Sequence, residues 1–245
     1  MLASLVRNIW APKNSIDPKK ITMISIMPCT AKKYEVQRPE FNHETDFVLT
    51  TIELEKLIKQ MNIDFVSLEG SDFDAPLGIS TGAAAIFGRT GGVMEAALRT
   101  AADWLEGKDL QEFEYVQTRG METKKEAVLR LAGKEIKICV VHTLGEARRL
   151  MEQIRTGTSP YHFIEIMACY GGCIGGGGQP PYPNDAVLRK RVEALSVVDK
   201  GLPFRKSHHN PAVLAFYKEH IGEFGGEEAH TLLHTHYTNR SNDYI

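Results

Sequence analysis

The chain has 245 residues, of which 42% are hydrophobic and 24% are charged, and its formal net charge is −2. This length allows one large domain or two smaller lobes, with ample material for a buried core. The slight negative charge argues against a strongly basic nucleic-acid surface, so we expect no nucleic-acid partner. No apolar run reaches the roughly 18 to 20 residues that a membrane span needs, so we also expect no membrane span.

The N-terminal segment and the cysteine count indicate a cytoplasmic protein. Residues 1–7 lack the basic start, the long apolar run and the small-residue cleavage site of a secretory signal. Four cysteines are too few for a disulfide scaffold in a chain of this size. We therefore expect thiols that serve a metal or catalysis.

The first half of the chain predicts a strand and two helices. Residues 21–26 form a short run of branched apolar side chains, which predicts a buried strand leading to Cys29. Residues 50–61 carry apolar side chains at helical spacing, with charges between them. The small residues of 70–92 predict loops and a close-packed turn, and residues 93–105 predict a helix with one apolar face.

The second half predicts more strands, followed by helices. Residues 112–120 and 127–142 have strand character, and a glycine turn at 132–134 predicts a hairpin. Residues 144–155 predict a helix, and residues 163–167 predict a strand that enters a cysteine-containing loop. The remaining helices are predicted at 184–198, 211–220 and 226–236. This order of strands and helices favours an α/β protein with a helical C-terminal segment.

Two cysteine-containing segments carry the strongest functional signal. The first reads MPCTAKKYE at residues 27–35, and the second reads EIMACYGGCIGGGGQP at residues 165–180. Thiolates are the ligands of iron–sulfur clusters, and glycines let the backbone approach such an object closely. Both segments follow predicted strands, where α/β proteins commonly place cofactors. We therefore predict that the sulfurs of Cys29, Cys169 and Cys173 converge around an iron–sulfur cluster.

Other interpretations of these segments stay open. The thiols could be two buried structural cysteines beside a flexible loop. Zinc fits less well because structural zinc sites favour closer cysteine pairs. A phosphate-binding loop fails because no Gly-Lys-Ser/Thr follows the glycines.

Several residues near or beyond the motifs admit a plain structural role. Met27 and Met167 each precede a cysteine by two residues, and they either line its pocket or pack in the core. Lys32 and Lys33 are either solvent-facing charges or, for one of them, a donor to an anionic ligand. Cys139 belongs to neither motif, and we expect it to pack as an apolar residue in a strand. The remaining candidates are histidines. We expect His230, His234 and His236 to pack against or cap a helix end. We expect His208 and His209 to lie on the surface.

Together the two segments resemble the second and third signature motifs of the FeFe-hydrogenases. Further likeness lies at residues 80–97, 205–208 and 233–237, so the resemblance covers nearly the whole chain. It implies an α/β fold with parallel-sheet lobes flanked by helices, as in the FeFe-hydrogenase catalytic domain. It also implies an H-cluster-binding portion at residues 1–183 and a helical, small-subunit-like segment at residues 184–245.

The resemblance also implies a cofactor and its ligands. The H-cluster of that family is a 4Fe–4S cubane joined through a cysteine to a diiron subcluster that carries CO and cyanide. Cys29 and Cys169 would bind the cubane, and Cys173 would bind it and bridge to the diiron unit. Lys32 would donate a hydrogen bond to a cyanide. The residues that would shape or line the pocket are Met27, Pro28, Phe87 and Met167.

The implied activity is the reversible reduction of protons to H₂, with a ferredoxin-type electron donor and with maturation proteins that supply the cofactor. The family's first motif, Thr-Ser-Cys-Cys-Pro-x-Trp, is absent from residues 1–245. That motif supplies the fourth cubane ligand and a proton-relay cysteine. We therefore expect a C-terminal portion of the catalytic domain, inactive on its own.

Two rival interpretations remain. One is a non-catalytic, hydrogenase-related iron–sulfur protein of the cluster-assembly type, which lacks the diiron centre. Lys32 and the glycine run at 175–178 disfavour it because they suit a diiron pocket. The other is a truncated gene product without an independent role.

Overall fold

The computed structural model describes residues 1–181 and 184–240. Its strands are β1 (Ile24–Met27), β2 (Phe47–Thr50), β3 (Lys124–Leu131), β4 (Lys134–His142) and β5 (Phe163–Met167). Its α-helices are α1 (Leu2–Leu5), α2 (Ala11–Lys13), α3 (Ala31–Glu35), α4 (Thr51–Gln60), α5 (Gly82–Ala85), α6 (Gly92–Glu106), α7 (Leu144–Arg155), α8 (Asp185–Gly201), α9 (Pro211–Phe216) and α10 (Glu227–Leu233). Among the described residues, none of these helices combines the length and apolarity of a membrane span.

The chain forms two compact units. The first unit contains residues 1–77 and 212–245, and the second contains residues 78–211. The predicted boundary after Pro183 lies outside the described residues, and the division at residues 183–184 stays a prediction.

In the first unit, β1 and β2 pair in parallel, with Ile24 opposite Phe47 and Met27 opposite Thr50. Helix α4 begins directly after β2 because Thr50 caps it. The Thr50 hydroxyl accepts a hydrogen bond from the Glu53 amide at 3.2 Å, and the Glu53 carboxylate accepts one from the Thr50 amide at 2.8 Å. This reciprocal capping box stabilises the start of the helix predicted at residues 50–61.

The prediction that the strand before Cys29 is buried is wrong. Ile24 is 55% exposed and Ile26 is 53% exposed, and both lie on one face of β1. The opposite side chains of the strand, such as Met27, are only half-buried. A branched apolar run predicts the extended backbone correctly, but it carries no information about what covers each face.

In the second unit, the predicted hairpin is present and β5 extends its sheet. Strands β3 and β4 are antiparallel across a turn at residues 132–133, and β4 and β5 are parallel, with His142 opposite Met167. The sheet is therefore mixed rather than purely parallel. One face packs against α6 through the cluster Met94, Leu98, Ala102, Leu129, Leu131, Ile138 and Val140. On the other face Cys139 is fully buried, as expected of an apolar strand residue.

Three further predictions of secondary structure need correction. Residues 112–120 are not a strand but a loop with a 3₁₀ turn at Val116–Thr118. Two side chains of this loop, Glu114 and Arg119, join an ion-pair network, so their polar groups are used in that loop rather than at a sheet edge. Part of the predicted 70–92 loop is helical, in α5 and the turn Ile86–Gly88. The helix predicted at 226–236 ends at Leu233.

Candidate metal centre

The Cys169–Cys173 loop follows β5 as a series of tight backbone turns. The Gly172 amide donates to the Cys169 carbonyl at 3.0 Å, and the Gly176 amide donates to the Cys173 carbonyl at 2.9 Å. Cys169 is half-buried and Cys173 is exposed, and none of the chain's four cysteines, all within the described residues, forms a disulfide. The loop thus presents two thiols on consecutive turns.

Glycine is required at position 172. Its φ is +90°, and a Cβ there would lie 2.7 Å from the Met167 sulfur and 2.8 Å from the Thr90 amide nitrogen. A side chain would therefore push the loop away from residues 89–90. This close approach of the loop to residues 89–90, here called the glycine cradle, is one that only glycine permits.

Glu165 on β5 ties this strand to the start of α6. Its buried carboxylate accepts hydrogen bonds from the Gly91 amide at 2.6 Å and the Met94 amide at 2.7 Å. Burial raises the pKa of Glu165, while the two backbone donors oppose that rise. An acidic group at a helix N-terminus satisfies amides that have no partner within the helix. The loop therefore emerges from a strand that is anchored four residues earlier.

Lys125 braces the segment against which the loop packs. Its ammonium is buried and donates to the Thr90 hydroxyl at 3.0 Å and the Gly120 carbonyl at 3.2 Å. Burial lowers the pKa of Lys125 to about 8. Thr90 in turn donates its amide to the Gly171 carbonyl at 2.9 Å. The sequence motifs include Glu165 and the likeness at residues 80–97 includes Thr90, but their structural roles, like that of Lys125, depend on spatial partners that the sequence does not show.

A buried ion network continues from residue 89. Glu95 on α6 binds Arg89 at 2.5 Å, Arg99 at 2.9 Å and Arg119 at 2.7 Å. Burial opposes the charge, yet the hydrogen bonds and charges of these arginines hold the pKa of Glu95 below its ordinary value. Arg99 also binds Asp199 on α8 at 2.8 Å. The network joins α6 to α8 through Arg99 and reaches residue 89, next to the residue whose amide holds the cysteine loop.

The Cys29 segment belongs to the first unit. Cys29 is half-buried beyond the end of β1 and helps line a pocket of about 390 Å³. Lys32 on α3 lines the same pocket, is 43% exposed and pairs with Glu35 one turn later. Lys33 donates to the Val48 carbonyl at 2.9 Å. Lys32 is therefore the lysine of the pair that lines this pocket.

The structure groups the predicted site residues by unit. Cys29, Lys32, Met27 and Pro28 lie in the first unit, and both Met27 and Pro28 are half-buried. The second unit holds the remaining ones, which are Cys169, Cys173, Met167 and Phe87. Met167 has its sulfur beside the glycine cradle, and Phe87, on the turn Ile86–Gly88, is 47% exposed. The convergence of the two groups on one cluster stays a prediction.

A second group of possible metal ligands already binds a lysine ammonium. Asp103, His208 and His209 place ligand atoms within 4.8 Å of one another. The Lys206 ammonium, however, lies 2.6 Å from both the Asp103 and Asp109 carboxylates, so it already supplies the cation there. The prediction that His208 lies on the surface is also wrong, because its side chain is only 13% exposed and its ring bonds to Thr100 and Asp103 at 3.0 Å each.

The family models match both parts of the chain. Residues 1–177 match "Iron only hydrogenase large subunit, C-terminal domain", and residues 185–240 match "Iron hydrogenase small subunit". The chain belongs to the iron-only hydrogenase family. The resemblance inferred from the two cysteine motifs is thereby confirmed, and with it the iron–sulfur and oxidoreductase character of the family.

Known relatives agree with this assignment. The NADP-reducing hydrogenase subunit HndD of Solidesulfovibrio fructosivorans is 48% identical over 98% of this chain and 42% of its own length. A solved variant of the FeFe-hydrogenase HydA1 from Chlamydomonas reinhardtii superposes with a TM-score of 0.81 at 35% identity, over 96% of this chain and 68% of that one. The predicted α/β fold of the FeFe-hydrogenase catalytic domain is therefore confirmed.

A more distant relative has a different name. Cytosolic iron-sulfur assembly component 3 of Mus musculus is 29% identical over 97% of this chain and 52% of its own length. The chain spans about half or less of the length of these two curated relatives.

Proposed function

We propose that this chain forms the H-cluster-binding part of an FeFe-hydrogenase, whose reaction is the reversible reduction of protons to H₂. The observation that carries the proposal is the pair of accessible, unbridged thiols of Cys169 and Cys173 on a loop that the glycine cradle holds against residue 90. The 48% identity to a hydrogenase subunit supports the same activity for the parent enzyme.

The thiolates of Cys29, Cys169 and Cys173 would hold the 4Fe–4S cubane, and Cys173 would also bridge to the diiron subcluster. Thiolate donors and a backbone without side-chain bulk suit an iron–sulfur cluster. When bound, the H-cluster supplies the chemistry that joins protons and electrons into H₂.

The other pocket residues would orient the cofactor and exclude water. Lys32 would donate a hydrogen bond to a cyanide ligand, which otherwise would be buried without a donor. It now pairs with Glu35, so binding the cofactor would exchange that half-exposed carboxylate for an anionic ligand. Apolar surface around the diiron unit would come from Met27, Pro28, Met167 and Phe87.

The partners would be a ferredoxin-type electron carrier and the maturation proteins that deliver the diiron unit, in the cytoplasm. The portion 1–183 would bind the cluster, and 184–245 would form the small-subunit-like segment. Within residues 1–245 the two motifs offer three cluster cysteines and lack the family's Thr-Ser-Cys-Cys-Pro motif. We therefore expect this polypeptide by itself to show no hydrogen turnover.

Anaerobic reconstitution tests the proposal. The chain is incubated with iron and sulfide, and the reduced 4Fe–4S signal is followed by electron paramagnetic resonance. Cys169→Ala and Cys173→Ala should each abolish the signal. Cys139→Ala is the matched control, because Cys139 is fully buried in the core and should leave the cluster intact. Cluster retention in both motif variants would overturn the proposal.

The second candidate is a non-catalytic iron–sulfur protein of the cluster-assembly type, favoured by the relative from Mus musculus. Loading with a synthetic diiron cofactor separates the two. Infrared bands of bound CO and cyanide are expected for the hydrogenase, and their absence alongside a stable cubane would favour the assembly-type protein. Hydrogen evolution by the loaded chain alone would contradict the expected inactivity.

A further inference from the structure

His142 is a buried histidine beside the cysteine loop that no sequence motif marks. It is the last residue of β4 and is fully buried, opposite Met167 of β5. Its Nδ1 accepts a hydrogen bond from the Gly171 amide at 3.1 Å. Its Nε2 lies 3.1 Å from the Glu122 carbonyl oxygen. The ring therefore contacts the loop through a polar atom, not only by packing.

These two contacts define the protonation of the ring. A carbonyl can only accept, so Nε2 must carry the proton, and the Gly171 N–H can only donate, so Nδ1 must be free of one. The neutral Nε2–H tautomer alone satisfies both. Burial, and next the charge of Lys125, lower the pKa of His142, which favours this neutral form.

The loop residue that His142 binds is held on both sides. Gly171 lies midway between Cys169 and Cys173, and its carbonyl accepts from the Thr90 amide at 2.9 Å while its own amide donates to His142. Gly171 is itself buried. Without His142, the Gly171 amide would be buried and would lose this acceptor. Rotation of the peptide toward another acceptor would break the hydrogen bond between the Gly171 carbonyl and the Thr90 amide.

We propose that His142 is the positioning residue of the cysteine loop: by accepting the Gly171 N–H it fixes the two thiols at positions 169 and 173 in the relative placement that one cluster requires. This inference rests on the proposed function. His142 touches no thiol through its hydrogen bonds and takes no part in the reaction. Partners that orient ligands in this way commonly change metal affinity when removed.

Two substitutions of similar size separate positioning from packing. His142→Asn keeps an acceptor near the place of Nδ1, and His142→Leu keeps the volume and apolarity without an acceptor. If His142 only fills space in the core, Leu should be tolerated at least as well as Asn. If the acceptor matters, Asn should be the better replacement. The two hypotheses therefore predict opposite orders.

His162→Leu is the matched control. His162 also accepts a backbone amide through Nδ1, from Lys137 at 3.0 Å, but it is exposed and lies just before β5 begins, far along the strand from the loop. It removes the same type of hydrogen bond from the same sheet without touching the cysteine loop.

The measurement is the rate at which the reconstituted chain loses iron to a chelator, with the 4Fe–4S electron paramagnetic resonance signal recorded in parallel. His142→Leu should lose iron roughly 10- to 100-fold faster than wild type and show a broadened signal. His142→Asn and His162→Leu should stay close to wild type. Equal retention in His142→Leu, or equal loss in the Asn and Leu variants, would overturn the inference.

Amide hydrogen exchange of the apo chain tests the His142–Gly171 contact separately from the proposed cluster function. Failure of wild type to bind any cluster would defeat the proposed function and remove the cluster role of His142. Rapid Gly171 exchange in His142→Leu, with slow exchange in wild type and in His142→Asn, would still support the positioning contact. Unchanged exchange in all variants would overturn it, and exchange of the β4 amides shows whether the Leu variant remains folded.

Discussion

The two cysteine-bearing regions are built in opposite ways. The Cys169–Cys173 loop is held by backbone hydrogen bonds, a buried histidine, a buried carboxylate and a glycine cradle. The Cys29 segment follows an exposed strand, and its neighbouring Lys32 pairs with a half-exposed carboxylate. The loop is thus pre-organised by its own unit, whereas the Cys29 segment has polar groups that can exchange partners.

The largest expected loss of stability comes from a substitution in the pre-organised Cys169–Cys173 loop. Gly172→Ala places a methyl group 2.8 Å from the Thr90 amide at a φ of +90°, which should cost about 4 kcal/mol of unfolding free energy. Urea denaturation measures it. Gly145→Ala in α7 is the control, because its added Cβ would meet no atom within 4 Å apart from its chain neighbours and its own helix backbone, and it should stabilise the chain by about 0.5 kcal/mol. Near-wild-type stability of Gly172→Ala would contradict the cradle.

Isoleucine-to-alanine substitutions in the two sheets should lower the free energy of unfolding by different amounts. Ile138 is 1% exposed in the second unit, so Ile138→Ala should cost about 3 kcal/mol of unfolding free energy. Ile26 is 53% exposed in the first unit, so Ile26→Ala should cost less than about 1 kcal/mol. Equal losses in denaturant titrations would show that the β1 face is covered in solution.

Acid should weaken the second unit through Asp199. Burial opposes its charge, but Arg99 and Arg205 lower the pKa of Asp199 from 3.8 to about 2. The carboxylate therefore stabilises the fold above pH 3.8, and about 2 kcal/mol is lost as the pH falls toward 2. Unfolding free energies measured across this window should lose that slope in Asp199→Asn. A persistent slope would assign the acid sensitivity to other groups.

The smallest effect on stability is expected at Lys32. Its side chain is 43% exposed, so Lys32→Met should change the unfolding free energy by less than about 0.5 kcal/mol. The same variant should retain the cubane but shift or lose the infrared cyanide bands after loading with the diiron cofactor. Lys33→Met serves as the control, since Lys33 bonds the Val48 carbonyl. Unshifted bands in Lys32→Met would remove its proposed contact.

Much of the fold followed from local patterns. The helices α4, α6 and α7 and the β3–β4 hairpin were predicted because apolar periodicity, a cap or a two-residue turn acts within a few residues. The strand expected at 112–120 failed because its charged side chains bind residues far away in the sequence, such as Glu95. Propensity does not contain such partners.

The site divides in the same way. The spacing of the cysteines and the glycine run predicted an iron–sulfur loop, because thiolate ligation is a property of cysteine and tight backbone closure is a property of glycine. The roles of His142, Glu165 and Lys125 were not predicted, since each depends on a partner brought near by the fold: the amides of Gly171 and Gly91, and the hydroxyl of Thr90.

The sequence by itself determined the family, the fold class and the candidate cluster ligands, since each rests on short-range order or on chemistry that a residue type carries alone. Only the tertiary structure decided which side chains hold the loop, that Ile24 and Ile26 face outward, and that Lys206 takes the place of a metal beside Asp103. Burial and hydrogen-bond partnership arise from contacts between distant segments, so they exist only once the chain has folded.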